Sequence, residues 1–170
     1  MKGYLLDTNC VSEAVRLRPE PRVISWLETA DEGFLYLSVL TLGEIRKGVA
    51  SLPQSRRRTS LETWLDVELQ ARFSARILPI DAAIADRWGS LAATAKKRGR
   101  ALSTIDGLLA ATAIHHNLTI VSRNDNDFAG MQVPVFNPGR RSESDSHSVV
   151  RNSSSRYIKS RAGRALVDRG

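Results

Sequence analysis

The sequence predicts an α/β fold: a central parallel sheet with helices on both faces, giving three layers. Short apolar runs recur at residues 3–6, 34–39, 76–80, 118–122 and 133–136. Between most of them lie segments whose apolar residues repeat at helical spacing. Strands that alternate with helices of ten or more residues pair in parallel and bury both sheet faces.

The elements follow in order. Gly3-Tyr4-Leu5-Leu6 ends at Asp7 and reads as a buried strand. Residues 12–15 suit a helical turn, and Pro19 and Pro21 are then expected to break the chain. Val23, Ile24, Trp26 and Leu27 mark one helix face up to Thr29. After the strand at 34–39, residues 41–52 read as a helix that Pro53 ends. Arg56-Arg57-Arg58, read as a solvated loop, precedes a helical pattern through Leu61, Trp64, Leu65 and Leu69. Asp81 can cap the next helix, with Ile84, Trp88, Leu91 and Ala95 on its face and Gly99 at its end. Ser103 or Thr104 can cap another, whose face carries Leu108, Leu109, Ala111 and Ile114, with His115 and His116 at its dipole-favoured C-terminus. Pro134 places the final run at a sheet edge.

Composition sets outer bounds. The 170 residues, 42% hydrophobic and 25% charged, suit one soluble domain with a short appendage. The domain is assigned to residues 1–138 and a Ser/Arg-rich tail to residues 139–170. The tail has too little apolar surface to offset its ordering entropy, so it is expected to be disordered. It also carries most of the net charge of +7: from residue 140 onward eight Lys/Arg stand against three Asp/Glu. The basicity therefore says little about the body of the protein. Cys10 is the single cysteine, so no intramolecular disulfide is possible, and a small buried hydrophobe is expected there. No apolar stretch approaches a membrane span and the N-terminus lacks a signal-peptide pattern, so a cytoplasmic location is expected. Neither a phosphate-binding loop nor a dinucleotide fingerprint occurs, so no nucleotide cofactor is expected.

The chemistry is expected where parallel sheets gather ligands, at the carboxyl ends of the strands. Asp7 ends the first strand, and Glu44 is placed in the first turn of the helix after the second. Asp106 follows its helix cap, and Asp125 and Asp127 follow the strand that ends at Ser122. Taken singly, Asp81 and Asp106 read as helix caps or dipole partners, and Glu44 reads equally as an exposed helix residue or as a site acid. Taken together, acids on one rim repel each other unless they hold protons or a hard divalent cation, Mg²⁺ or Mn²⁺. Such a cation can activate water for attack on a phosphodiester, with no Ser, Cys or His nucleophile.

Four segments carry a resemblance. Leu5-Leu6-Asp7-Thr8-Asn9, residues 38–48 around Glu44, Ile105-Asp106-Gly107-Leu108 with its continuation to Ala113, and residues 119–128 around Asp125 together resemble the PIN-domain ribonucleases. The closest likeness is to the VapC-type toxins and their FitB-like branch, and Val135-Phe136-Asn137-Pro138 also resembles that branch. The resemblance covers about residues 3 to 138. It implies a PIN-like three-layer α/β/α fold and a metal held by Asp7, Glu44 and Asp106. It also implies that Thr8 and Asn9 support the first acid. A fourth acid is expected after the last long strand. Asp125 is the first choice and Asp127 the second, while Asn124 occupies a position where some relatives have Asp. The implied activity is metal-dependent cleavage of structured RNA of the transfer or ribosomal class. The implied partners are a second copy of the chain and a cognate antitoxin, through which alone the protein would meet DNA. Two other readings stay open: a non-catalytic RNA- or partner-binding protein on the same fold, and a phospho-aspartate hydrolase. The last is disfavoured because Asn9 stands where Asp-x-Asp would need its second acid.

Overall fold

A computed structural model describes residues 3–140. The expected disordered tail lies outside the described residues, apart from its first two positions. Five parallel strands form one sheet in the order β3-β2-β1-β4-β5. They are β1 (Tyr4–Leu6), β2 (Leu35–Ser38), β3 (Ile77–Leu78), β4 (Thr119–Val121) and β5 (Val135–Phe136). All five expected apolar runs became strands, each shorter than its run.

The register fixes the rim. Leu5 pairs with Tyr36 and Ile120, and Leu6 pairs with Val121. The next residues, Asp7 and Ser122, therefore leave the sheet side by side, and the Asp7 amide donates to the Val121 carbonyl at 2.9 Å. β5 lies at the sheet edge, where Pro134 needs no ladder donor.

Helices connect the strands: α1 (Thr8–Val11), α2 (Pro21–Thr29), α3 (Val39–Ala50), α4 (Arg56–Thr63), α5 (Gln70–Arg72), α6 (Ala82–Lys97) and α7 (Thr104–His115). A 3₁₀ turn at Ser12–Val15 follows α1, and a π-helical stretch, Trp64–Leu69, joins α4 to α5. Three expectations need correction. Pro21 does not break the chain but starts α2, because its fixed φ suits the first helical turn, whose amide has no partner anyway. Arg56–Arg58 is the first turn of α4 rather than a loop; Ser55 caps it, and Arg58 pairs with Glu62 one turn on. Ser38 caps α3 two residues earlier than expected, which puts Glu44 in the second turn. Asp81 caps α6 through Ile84 N as the sequence indicates, and of the two candidates Ser103 and Thr104 it is Ser103 that caps α7, through Asp106 N.

Two cores flank the sheet. One face buries Leu6, Leu37 and Val121 against α2, α3 and α4, where Leu27, Trp64, Leu65, Leu69 and Phe73 fill the space. The π-helical stretch keeps Trp64, Leu65 and Leu69 all buried. The other face buries Leu5 and Ile120 against Leu109, Ala110 and Ala113 of α7 and against Phe128. Each fully buried Leu or Phe contributes about 2 kcal/mol. Gly107 sets how closely α6 and α7 approach: a Cβ there would come within 2.9 Å of Trp88 and Leu102 side-chain carbons. That approach fixes the neighbouring Asp106. Among the described residues no helix is long and apolar enough to cross a membrane.

Candidate active site

Asp7 is buried at the carboxyl end of β1 and caps α1. Three donors hold its carboxylate. The Thr8 amide donates to Oδ1 at 2.7 Å, while Asn9 Nδ2 and Ser122 Oγ donate to Oδ2 at 2.8 and 2.7 Å. A carboxylate offers about four acceptor positions, so Oδ1 keeps one for a further partner. Burial pushes the Asp7 pKa up to about 6 against these bonds, with smaller contributions from the charges of Glu44 and Asp106.

Glu44 reaches the same rim from α3. Thr8 Oγ1 donates to Glu44 Oε2 at 2.6 Å, and Thr41 Oγ1, one turn earlier on α3, donates to the Leu6 carbonyl at 3.2 Å. Both bonds tie α3 to the end of β1. Asp106, half-buried in the first turn of α7, has its pKa raised by burial and by the charges of Asp127 and Glu44. Asp127 lies in a 3₁₀ turn (Asp125–Phe128), where Asn124 Nδ2 donates to its Oδ2 at 2.9 Å.

The charges of Asp7, Glu44 and Asp106 thus act on one another across three elements, and Asp127 joins them through Asp106. Asp125 is engaged elsewhere: its carboxylate accepts from Arg140 at 2.8 Å and from Asn137 Nδ2 at 3.4 Å. Asn124 is an amide without charge, and its Nδ2 is engaged by Asp127.

Ser122 was given no role from sequence. It is fully buried, donates to Asp7 and accepts from the Asn124 amide at 3.0 Å. Its signal was present: β1 and β4 each end an apolar run in a polar residue on the same rim. Glu13 also escaped notice. It is buried and accepts from the Glu20 amide, Arg16 and Arg123. The Arg123 amide in turn donates to Asn9 Oδ1 at 3.0 Å, so this ion cluster braces the loop after β4 against α1. Cys10 is buried and its pKa is pushed up to about 12, chiefly by burial, which makes it the inert hydrophobe expected.

The donor set suits a hard divalent cation: oxygen atoms only, with two acids held above their ordinary pKa values. Among the described residues, however, no three His, Cys, Asp or Glu side chains are gathered closely enough to cage an ion. Mg²⁺ does not need such a cage, because it commonly binds through one or two carboxylates and keeps several waters. A hydrated ion on this rim fits the residues present.

An all-parallel sheet with this acidic rim at its carboxyl ends defines a class. The PIN domain family model matches residues 4–133, and the chain belongs to that family. Among named relatives, the chain is 38% identical over 134 residues to Toxin FitB of Neisseria gonorrhoeae, covering 79% of this chain and 96% of the toxin. It is 33% identical, over the same shares of the two chains, to VapC ribonuclease Y4jK of Sinorhizobium fredii. Its fold superposes on the structure of FitAB bound to an IR36 DNA fragment with a TM-score of 0.78 at 35% identity, covering 83% of this chain and 99% of that one. It also superposes on FitAcB from Neisseria gonorrhoeae with a TM-score of 0.76 at 38% identity, covering 79% and 97%.

Proposed function

We propose that this protein is the ribonuclease component of a toxin–antitoxin pair. In this reading it hydrolyses RNA phosphodiester bonds with a hydrated Mg²⁺ or Mn²⁺ that would bind one or two of Asp7, Glu44, Asp106 and Asp127 directly and the others through its waters. The observation that carries it is a carboxylate, Asp7, fixed by three donors and facing the charges of Glu44 and Asp106, with Asp127 acting in turn on Asp106. Relatives named as a ribonuclease and as a toxin support the same reading. RNA of the transfer or ribosomal class is the first substrate to test, and a homodimer in the cytoplasm is part of the proposal.

When bound, the cation supplies charge neutralisation at the phosphate and a lowered pKa for water. The protein supplies orientation. Asp7 cannot turn, because Thr8, Asn9 and Ser122 occupy three of its acceptor positions. Thr8 fixes Glu44 through the same short segment, so the two acids keep one relative placement. Asp106 is carried by α7, on the opposite face of the sheet from α3, and Asn124 holds Asp127.

The direct test incubates the full chain with transfer and ribosomal RNA. Cleavage is expected with Mg²⁺ or Mn²⁺, lost with EDTA and restored by adding the ion back. Undiminished cleavage in EDTA would refute the proposal.

The fourth acid gives a second test. Asp127→Asn is expected to lower the cleavage rate by about 10- to 100-fold, the range seen when groups around a metal site are altered. Asp125→Asn should cost little, since it removes only a pair with the exposed Arg140, worth at most about 1 kcal/mol. Initial rates under single-turnover conditions compare the two, and a larger loss at Asp125 reverses the assignment.

A groove of about 250 Å³ runs from Thr8 and Glu44 between α3 and α4, lined by Val15, Ile45, Val49, Leu52 and Trp64. Its largely apolar lining suits the apolar face of an antitoxin segment that would reach the acids and block them. Arg57, whose Nε is buried and has no hydrogen-bond partner among the described residues, adds a donor to the lining. Leu52→Glu is expected to weaken antitoxin binding by at least about 10-fold, because it puts an unpaired charge into that face. RNA cleavage should survive. Titration calorimetry with the cognate antitoxin measures this, and unchanged affinity places the antitoxin elsewhere.

A further inference from the structure

A second cavity, of about 330 Å³, opens beside the acids between α6, α7 and the segment 126–132. Asp106 and Asp127 stand in its wall. Its apolar lining comes from Leu91, Leu102 and Met131, which pack on the core beneath. Arg98 and Arg100 line it as well. Among the described residues, neither arginine forms an ion pair. The C-terminal dipole of α6 accounts for Lys96 and Lys97 in its last turn, but Arg100 lies beyond the helix.

The exposed Arg100 lays its guanidinium against the backbone of Gly130, where φ is +81° and a Cβ would come within 2.5 Å of Nη1. Gln132, two residues on and also in the lining, holds a left-handed φ of +55°. Such conformations are unfavourable for a residue with a side chain and concentrate at functional sites. The volume lies at the low end of small-ligand pockets, which run from about 300 to 1,000 Å³.

One ligand unit uses all three parts of this wall. A nucleotide chain offers a phosphate to the acidic rim with its cation, a flat base to the apolar lining and a further phosphate to free guanidinium groups. We propose that this cavity is a subsite for the nucleoside next to the scissile phosphate of single-stranded RNA, with Arg98 and Arg100 holding the adjoining phosphate. The inference rests on the ribonuclease reading above. It makes the 98–102 loop and the 129–132 segment determinants of cut-site preference, separate from the catalytic acids.

The test uses the full chain and two variants that leave the acids intact: Ala95→Phe, which fills the cavity from α6, and Arg100→Gln. Wild-type protein is given a pool of RNA randomised around an unpaired stretch, and the fragment ends are sequenced. A base preference at one position beside the cut is expected. Ala95→Phe should flatten it and raise KM about 10-fold with kcat within about 3-fold. Arg100→Gln should raise KM and reduce the slope of log affinity against log salt by about 0.7, the value of one lost phosphate contact on a single strand. If wild-type protein cuts and both variants keep its preference and KM, the inference is overturned. If wild-type protein cuts no RNA, the ribonuclease reading fails and the cavity is judged separately, by amide NMR with the four ribonucleoside monophosphates and no metal. Shifts confined to residues 98–103 and 129–132, lost in Ala95→Phe, then support a nucleotide site; their absence overturns it.

Discussion

Asp106→Asn is expected to lower RNA cleavage by about 10²- to 10³-fold while leaving the protein folded and no less stable. The amide keeps the shape of the carboxylate, so the close packing beside it, where Gly107 meets Trp88 and Leu102, is undisturbed. What disappears is one negative charge from a set in which Asp127 and Glu44 already raise its pKa. Losing that charge removes repulsion in the metal-free protein, so the melting temperature should hold or rise. The same charge is needed to balance a divalent cation during phosphodiester cleavage, where charge stabilisation is worth several kcal/mol. Several kcal/mol corresponds to the stated loss in rate. Single-turnover cleavage and calorimetric melting on one preparation check both halves. Wild-type rates in Asp106→Asn would remove this residue from the active centre.

The second large effect concerns pH. Without divalent cation, the protein is expected to lose about 3 kcal/mol of stability as the pH rises from about 4 to about 6.5. Asp7 has a folded pKa of about 6 against an ordinary 3.8, so between those values the folded chain holds a proton that the unfolded chain has released. Stability therefore falls as pH rises through that window. The contribution is full below 3.8 and gone above about 6. Asp106, raised chiefly by burial, acts in the same direction. Glu32, where Arg72 and Arg76 outweigh burial, acts in the opposite sense, but only below its ordinary 4.5. His116, pushed down by burial and by His115, also opposes the trend below its ordinary 6.5, so the comparison is cleanest in a His116→Gln background. Mg²⁺ at a hundredfold excess over its dissociation constant should restore about 2.7 kcal/mol near pH 7.5 and much less near pH 5, where protons compete for Asp7. Denaturant unfolding in EDTA and in Mg²⁺ at stepped pH measures both. A flat profile, or no stabilisation by the ion, contradicts the account of Asp7 as a buried cation ligand.

Much of this was legible in the chain itself. Alternating apolar runs and helical patterns determined an α/β fold with a parallel sheet, because burial on both faces demands strands that are apolar throughout. Pro134 marked the edge strand, and Asp81 and Ser103 marked two helix starts, through chemistry that is local to a few residues. Asp7 was conspicuous as a charge ending an apolar strand.

The remainder depended on contacts between distant segments. Periodicity cannot reveal that the Ser122 hydroxyl meets Asp7 across 115 positions, or that Thr41 anchors α3 to Leu6 across 35, because those bonds follow from strand register and helix placement. From sequence Asp125 was the first choice for the fourth acid and Asp127, two residues on in the same turn, the second. Arg140 and Asn137 engage the first, while the second accepts from Asn124 and its charge acts on Asp106. The sequence by itself determined which layers form and which residue types reach the rim, since both follow from apolar spacing. Only the tertiary structure decided which of those acids share an electrostatic environment, because interaction between charges depends on separation and burial in space.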